Sequence, residues 1–150
     1  MKAIFQRVYD ASVEVEGQIV GEIGKGALIL LGVEKDDTPA HATLMAQKIA
    51  NLRVFVDENH KMNCSLLTIG GEALVVSNFT LCANCSHGRR PEFMAAARPE
   101  QAEPLYELFM EQLREQGVCK VAAGRFGADM TVHMRGHGPV TIPLDTKDWM

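Results

Sequence analysis

Three hydrogen-bonding side chains close an apolar run in the segment Val75-Val76-Ser77-Asn78-Phe79-Thr80-Leu81. Groups of this kind at a buried strand end can hold a substrate, or let neighbouring backbone N–H groups stabilise an oxyanion. They can equally do no more than satisfy local backbone groups. Thr80 is the only candidate nucleophile in the segment. A Thr hydroxyl needs an adjacent base, and no His, Asp or Lys lies within the run. Directly after it comes Cys82-Ala83-Asn84-Cys85. A single CxxC fits a redox pair or half of a zinc site whose four ligands Cys64 and Cys119 could complete; it also fits loop cysteines with neither role. Ser86-His87-Gly88 does not read as the helix that a thioredoxin-like pair opens. His87, Arg89 and Arg90 form a small basic loop, suited to phosphate contact or to plain solvation. His133 and His137 lie four apart on an expected strand, about 13 Å when extended, which is too far for one metal ion. No HExxH, GxSxG or phosphate-cradling glycine motif occurs. Gly138-Pro139-Val140-Thr141 reads by itself as a turn.

The elements that must position these residues are legible in the pattern. Alternation marks strands through the first third, where Ala3, Phe5, Arg7 and Tyr9 interleave with Lys2, Ile4, Gln6 and Val8, and a Gly17-Gln18 turn leads into Ile19 to Ile23. Gly26 to Val33 is almost wholly apolar, as in a strand buried on both faces. Thr38 and Pro39 open a helix running to about Asn51, with Leu44, Ile49 and Leu52 as its apolar positions. The preceding Asp36-Asp37 pair reads as acids at a helix N-terminus. Arg53 to Val56 and Ala73 to Leu81 read as strands. Pro99 opens a second helix with Ala102, Leu105, Tyr106, Phe109, Met110 and Leu113 on one face, stopped by Gly117. Ala128 to Met134 and Val140 to Leu144 read as two strands separated by the Gly-His-Gly-Pro corner. This order predicts an α/β chain of the α+β type: a mixed β-sheet or partial barrel with helices on one face, in a single domain over residues 1–150.

Composition sets outer bounds. The chain has 150 residues, 47% of them hydrophobic and 23% charged, which suits a globular core and excludes a disordered or disulfide-scaffold protein. A net charge of −4 argues against a general nucleic-acid coat but leaves room for a local basic patch. The longest apolar run, Ala27 to Leu31, is far short of the ~20 residues that span a bilayer. The charged start, without an apolar leader, predicts a cytoplasmic protein with reduced cysteines and no membrane association.

Taken together the segments are far more specific than any one alone. Gln6-Arg7-Val8, Ala11-Ser12-Val13, Gly21-Glu22-Ile23-Gly24, Leu31 to Asp37, Lys61-Met62-Asn63, Ser77 to Leu81, Arg90-Pro91, Gly124-Arg125-Phe126 and Gly138 to Thr141 occur in one order. That series closely resembles the D-aminoacyl-tRNA deacylases over roughly residues 1 to 144. The resemblance implies hydrolysis of the ester between a D-amino acid, or mischarged glycine, and the terminal ribose of tRNA. It implies a homodimer with the site at the subunit interface and tRNA as partner; the chemistry expected of the residues requires no metal or organic cofactor. The family's Ser-Gln-Phe-Thr-Leu motif maps onto Ser77, Asn78, Phe79, Thr80 and Leu81. Its cis Gly-Pro maps onto Gly138 and Pro139, reaching into the neighbouring subunit's pocket, with Arg7 as the arginine that holds it.

Two positions depart from the family pattern. Asn78 stands where glutamine is usual, and Gly136-His137 where bacterial members usually carry Asn-Asp. The first change shortens a side-chain amide by about 1.5 Å, one carbon–carbon bond. A hydrogen bond of ~2.9 Å cannot stretch that far, so either the backbone moves or the contact is lost. Because an aminoacyl ester is already activated, the expected mechanism is RNA-assisted. The 2′-hydroxyl beside the ester helps attack or departure, the N–H groups of Phe79 and Thr80 hold the oxyanion, and Ser77 and Thr80 orient the substrate. The competing readings are a non-enzymatic RNA- or DNA-binding relative, a variant deacylase with altered chirality or tRNA preference, and a metal-dependent hydrolase using Cys82, Cys85 and His87.

Overall fold

Apolar and polar residues alternate from Lys2 onward because the first strand has a different environment on each face. In the computed structural model, which describes residues 1–150, this strand is β1, Lys2–Val15. It pairs antiparallel with β3 (Gly26–Gly32) through its first half, with β2 (Gln18–Ile23) through its second half, and with β8 (Thr131–Asp145) along nearly all of its length. Parallel pairing then adds β6 (Glu72–Ser77) to β3 and β7 (Val121–Ala123) to β6. The sheet is therefore mixed, in the order β2-β1-β3-β6-β7 with β8 against β1. It curls until its ends almost meet. At Gly21 on β2 a Cβ would lie 2.3 Å from the Ala123 carbonyl oxygen on β7, so only glycine permits the approach. A small second sheet pairs β4 (Phe55–Val56) with β5 (Met62–Cys64).

Both helices, α1 (Pro39–Asn51) and α2 (Pro99–Gln116), pack on one face. That face carries the larger core, 25 buried residues including Phe5, Ile29, Met45, Phe55, Phe109 and Leu113. Eight more residues, among them Val8, Val13, Leu28, Leu74 and Val76, form a second cluster without helix residues. β3 and β6 contribute to both clusters, as the uninterrupted apolar sequence of β3 requires. β1 supplies Ala3 and Phe5 to the first cluster and Val8, Ala11, Val13 and Val15 to the second, changing clusters around Arg7 and Val8. The simple alternation expected there fails for this reason: Arg7 and Val8 are both buried, whereas Tyr9 is exposed.

All six residues predicted for the buried face of α2 are buried, and Gly117 ends it with φ +110°. The stripe predicted for α1 is displaced. Its buried residues are Ala42, Met45, Ala46, Ile49 and Ala50, because close packing against α2 selects small side chains and leaves Leu44 at the margin. The strand expected over Ala73 to Leu81 stops at Ser77, and Phe79–Cys82 forms a 3-10 turn. The strand expected over Arg53 to Val56 is only Phe55–Val56. The two C-terminal strands expected either side of the Gly-Pro corner are one strand, β8. β5, β7 and a closing 3-10 turn at Thr146–Asp148 were not legible. Asp37, besides preceding the helix, is buried: it accepts from the Met1 α-ammonium (2.6 Å) and from the Glu34 N–H (2.7 Å).

One bond ties α2 to the strand that delivers the candidate site. The Tyr106 hydroxyl donates to the Val75 carbonyl at 3.1 Å, and that oxygen also accepts from the Gly124 N–H at 3.0 Å. Burial first, then the Glu107 and Glu103 charges, push the Tyr106 pKa up to about 12. Above its unfolded pKa of about 10, tyrosine ionises more readily in the unfolded chain, so this contribution to stability declines as pH rises from there toward 12. Tyr106→Phe is expected to lower stability by about 1 kcal/mol, since Val75 keeps its second donor, and to lower Tm by roughly 2–4 °C. The variant also loses the tyrosine part of the alkaline decline. Thermal melts at neutral and alkaline pH check both, and an unchanged neutral Tm would contradict the assignment.

Candidate active site

The end of β6 is where the chain leaves the sheet. The Asn78 N–H makes the last contact with β3, donating to the Leu31 carbonyl at 2.8 Å. The Asn78 side chain then folds back over the next turn. Its Oδ1 accepts from the Thr80 N–H at 3.2 Å and also from the Thr80 hydroxyl. Asparagine therefore caps the 3-10 turn, a role its short amide suits well. Gly32 makes room for that turn: a Cβ there would lie 2.9 Å from Leu81 Cβ and 3.1 Å from the Asn78 carbonyl oxygen. None of the turn, loop or cap hydrogen bonds uses the Phe79 N–H. Of the two N–H groups expected to face an oxyanion, that of Thr80 is thus engaged by Asn78 and that of Phe79 is open.

Ser77, Asn78, Phe79 and Thr80 all line one pocket of about 970 Å³. Most of its walls are apolar, from β3, β6, α2 and the segment 126–130 before β8. Phe79, 58% exposed, and Phe93 both line it, and their rings meet edge to face with centroids 5.0 Å apart. Gln6, Tyr106 and Asp129 are polar lining residues that the sequence reading missed. Asp129 stood inside an expected strand, where nothing in the pattern separated it from a solvated edge residue. No His, Lys or Cys lines the pocket.

The Gly138-Pro139 peptide is cis, as the resemblance implied. Its position follows from the sheet register. On β1 only Arg7 stands between Gln6, paired with Thr141, and Val8, paired with Gly136; on β8 the four residues His137 to Val140 occupy the same interval. The corner is an outward excursion of one strand, and Gly138 and Pro139 are exposed. Arg7, only 6% exposed, anchors its root: Nε donates to the His137 carbonyl (3.1 Å) and Nη1 to the Val54 carbonyl (2.7 Å). Gly138 has φ +126°, and a Cβ there would lie 2.9 Å from Val140 and 3.1 Å from the Arg7 guanidinium, so glycine is required twice over. Beside the corner, His137 stacks on Tyr9 (centroids 4.3 Å apart) and the Arg135 guanidinium lies over the same ring. Desolvation, then the Arg7 and Lys25 charges, hold the His137 pKa below its ordinary value. Within one chain, neither the corner nor Arg7 lines the pocket of Ser77 to Thr80.

The other candidates fall elsewhere. His87, Arg89 and Arg90 are exposed on the loop after the 3-10 turn, outside the pocket. Cys82 is buried, with its thiol toward the Val33 carbonyl, and burial followed by the Glu34 and Asp37 charges pushes its pKa up; Cys85 is exposed. No three His, Cys, Asp or Glu side chains stand together as a metal cluster. His133 faces Glu14, away from His137 on its Tyr9 stack. No helix is long and apolar enough to cross a membrane.

A nearly closed mixed sheet with two helices on one face and a pocket at the end of its inner parallel strand is an architecture found in known proteins. A solved structure described as c-Myc DNA Unwinding Element Binding Protein superposes with a TM-score of 0.91 at 44% identity, covering 97% of this chain and 98% of that one. A D-aminoacyl-tRNA deacylase of Roseiflexus castenholzii is 56% identical over 97% of this chain and 92% of its own length. One of Brevibacillus brevis is 53% identical over 97% of this chain and all of its own. The family model described as D-Tyr-tRNA(Tyr) deacylase matches residues 4–145. The chain belongs to that deacylase family.

Arg7 generates the sharpest structural expectation. Removing its guanidinium strips donors from two carbonyls, each worth about 1–3 kcal/mol when left buried and unpaired. Arg7→Ala is expected to lower unfolding stability by roughly 2 kcal/mol or more. Arg7→Lys rescues it incompletely, because one ammonium does not reproduce a planar fork. Urea denaturation checks this, and a loss below about 0.5 kcal/mol, typical of a surface change, would contradict the anchoring role.

Proposed function

We propose that this protein hydrolyses the ester linking a D-amino acid, or mischarged glycine, to the terminal ribose of tRNA, releasing the free amino acid and tRNA. Membership of the family supports this reading, and the observation that carries it is the pocket. A largely apolar cavity of about 970 Å³ whose lining includes Ser77, Asn78 and Thr80 has room for an aminoacyl group with its ester against those polar side chains. The working unit is the whole of residues 1–150, acting as a homodimer in the cytoplasm. The dimer is supported by three features of one chain: the pocket lacks the corner, the corner is exposed, and β8 has a second edge with no strand partner. Such an edge invites pairing, and the exposed Val132 and Met134 add apolar surface beside it.

The mechanism we infer uses the RNA. The Thr80 hydroxyl donates to an amide oxygen, which is not a base, so its proton has no acceptor that would make Thr80 a nucleophile. The ribose 2′-hydroxyl supplies that assistance instead. The open Phe79 N–H takes the developing oxyanion, while Asn78 fixes Thr80 and Ser77 contacts the substrate. The cis Gly138-Pro139 corner of a second copy, anchored by Arg7, forms the wall that reads chirality. His87, Arg89 and Arg90 contact phosphates of the tRNA, compensating locally for a net negative chain.

Release of D-tyrosine from D-Tyr-tRNA, with L-Tyr-tRNA as the control, tests the reading. Turnover of the D-ester over the L-ester is expected; a wild-type protein inactive on both would favour a nucleic-acid binding role instead. Thr80→Ala is expected to keep measurable turnover, losing less than about 100-fold, whereas a tRNA ending in 2′-deoxyadenosine loses more. A trapped acyl-Thr80 would overturn the mechanism. Arg89→Ala and Arg90→Ala are expected to raise KM and to reduce the salt dependence by about 0.7 in log–log slope per lost phosphate contact. An unchanged slope would remove the loop from the interface.

A further inference from the structure

Between Lys2 and Glu14, two residues of β1 have no partner on β8. The register passes from Gln6 opposite Thr141 to Val8 opposite Gly136 and then to Asp10 opposite Arg135, skipping Arg7 and Tyr9. Both skipped residues grip His137. Arg7 donates through Nε to its carbonyl at 3.1 Å, and the Tyr9 ring lies against its ring, with centroids 4.3 Å apart and planes 20° from parallel. The other aromatic pairs in the chain meet edge-on or tilted; this one is stacked. Tyr9 also has no register partner on β2 or β3, is 48% exposed and belongs to neither core cluster, so core packing does not account for an aromatic there. Its ring has a second hold. The Arg135 guanidinium carbon lies 5.6 Å from the ring centroid, and Asp10 Oδ2 fixes that guanidinium by accepting from Nε at 2.7 Å and from Nη2 at 2.6 Å. His137 Nδ1, in contrast, is buried without a hydrogen-bond partner, so the stack and not a bond at that nitrogen orients the imidazole.

His137 immediately precedes the exposed corner, and it is flanked by Gly136 and Gly138. Between Arg135 and Pro139 it therefore carries the one side chain by which the chain can be oriented. The bond from Arg7 fixes a point on the backbone but tolerates a broad range of angles at the carbonyl oxygen. A second hold through the ring, away from that bond, removes the remaining freedom to swing. We propose that His137 is a positioning residue: clamped on Tyr9, it sets the direction in which Gly138 and Pro139 project, so that discrimination between D- and L-aminoacyl esters depends on an aromatic stack outside the pocket. The assignment rests on the reading of the corner as the chirality wall of a second copy's site. Neither Tyr9 nor His137 lines the pocket of its own chain, so neither acts on a substrate held there.

The test is the ratio of kcat/KM on D-Tyr-tRNA to that on L-Tyr-tRNA. His137→Ala keeps the carbonyl that Arg7 uses and removes the ring; Tyr9→Leu removes the ring's platform. Each is expected to lower the ratio about 3- to 10-fold, the range that one aromatic pair supports. The double variant should lose no more than either single one, because both remove the same contact. His137→Phe keeps a flat ring and should recover most of the ratio. Equal losses on both esters, or an unchanged ratio in His137→Ala and Tyr9→Leu, would overturn the proposal, as would a His137→Phe no better than His137→Ala. A readout independent of turnover is the NMR order parameter of the Gly138 amide. It is expected near the rigid-backbone value of about 0.85 in the wild-type protein and to fall toward about 0.6 in His137→Ala and Tyr9→Leu. That fall supports the clamp even if neither ester is hydrolysed, an outcome that would refute only the hydrolase reading. An order parameter unchanged in both variants overturns the clamp.

Discussion

The buried guanidinium of Arg7 is the interaction on which the arrangement depends. β1 is the spine of the sheet and pairs with three strands. Around Arg7 it passes from one core cluster to the other, and opposite Arg7 the partner strand β8 carries four residues against one. A strand interrupted this way loses ladder hydrogen bonds where it bulges. Arg7 replaces them with two charged donors, one to the body of the protein at Val54 and one to the base of the excursion at His137. The corner is thereby fixed to the fold while projecting from it.

The pocket depends on a second local device. A strand ending at Ser77 would ordinarily release the chain into a loop. Asn78 holds it in a tight turn by using one amide oxygen for both donors of Thr80. This answers the question raised by the shorter side chain: the amide does not stretch toward a distant partner but acts two residues away. It also defines the chemistry available, since it occupies the Thr80 N–H and hydroxyl proton and leaves the Phe79 N–H unused by the turn. A pocket with one carboxylate and no imidazole, ammonium or thiol must draw on its substrate for much of the reactivity.

What was legible in the sequence divides along physical lines. The buried face of α2 was read fully because five large residues, Leu105, Tyr106, Phe109, Met110 and Leu113, at helical spacing with Ala102 leave no alternative. α1 was read incompletely: Ile49 is buried as expected, but the rest of its buried face is Ala42, Met45, Ala46 and Ala50, since a helix packed closely on another buries alanine, and alanine carries little hydrophobic signal. Asp37 read only as an acid approaching a helix N-terminus; its burial against the Met1 α-ammonium is a contact across 36 positions that no local pattern encodes. β8 was read as two strands because Gly-Pro is a turn signal, and only its pairing with β1 makes it one. The residues of the motif were found at once, yet Asp129 was not. A lone acid beside small residues has no signature until the pocket around it is formed.

The most direct test of this account is whether one pocket is completed by the corner of another copy. Phe79→Pro removes the open N–H of the pocket, and Arg7→Ala removes the corner's anchor; each homodimer should deacylate D-Tyr-tRNA poorly. Co-expression with two different affinity tags isolates the mixed dimer, in which two-fold symmetry leaves one site with an intact pocket facing an intact corner. The account predicts about half the wild-type turnover per mixed dimer, from that one site of two. A mixed dimer as inactive as its parents, or a protein that deacylates as a monomer, would contradict it.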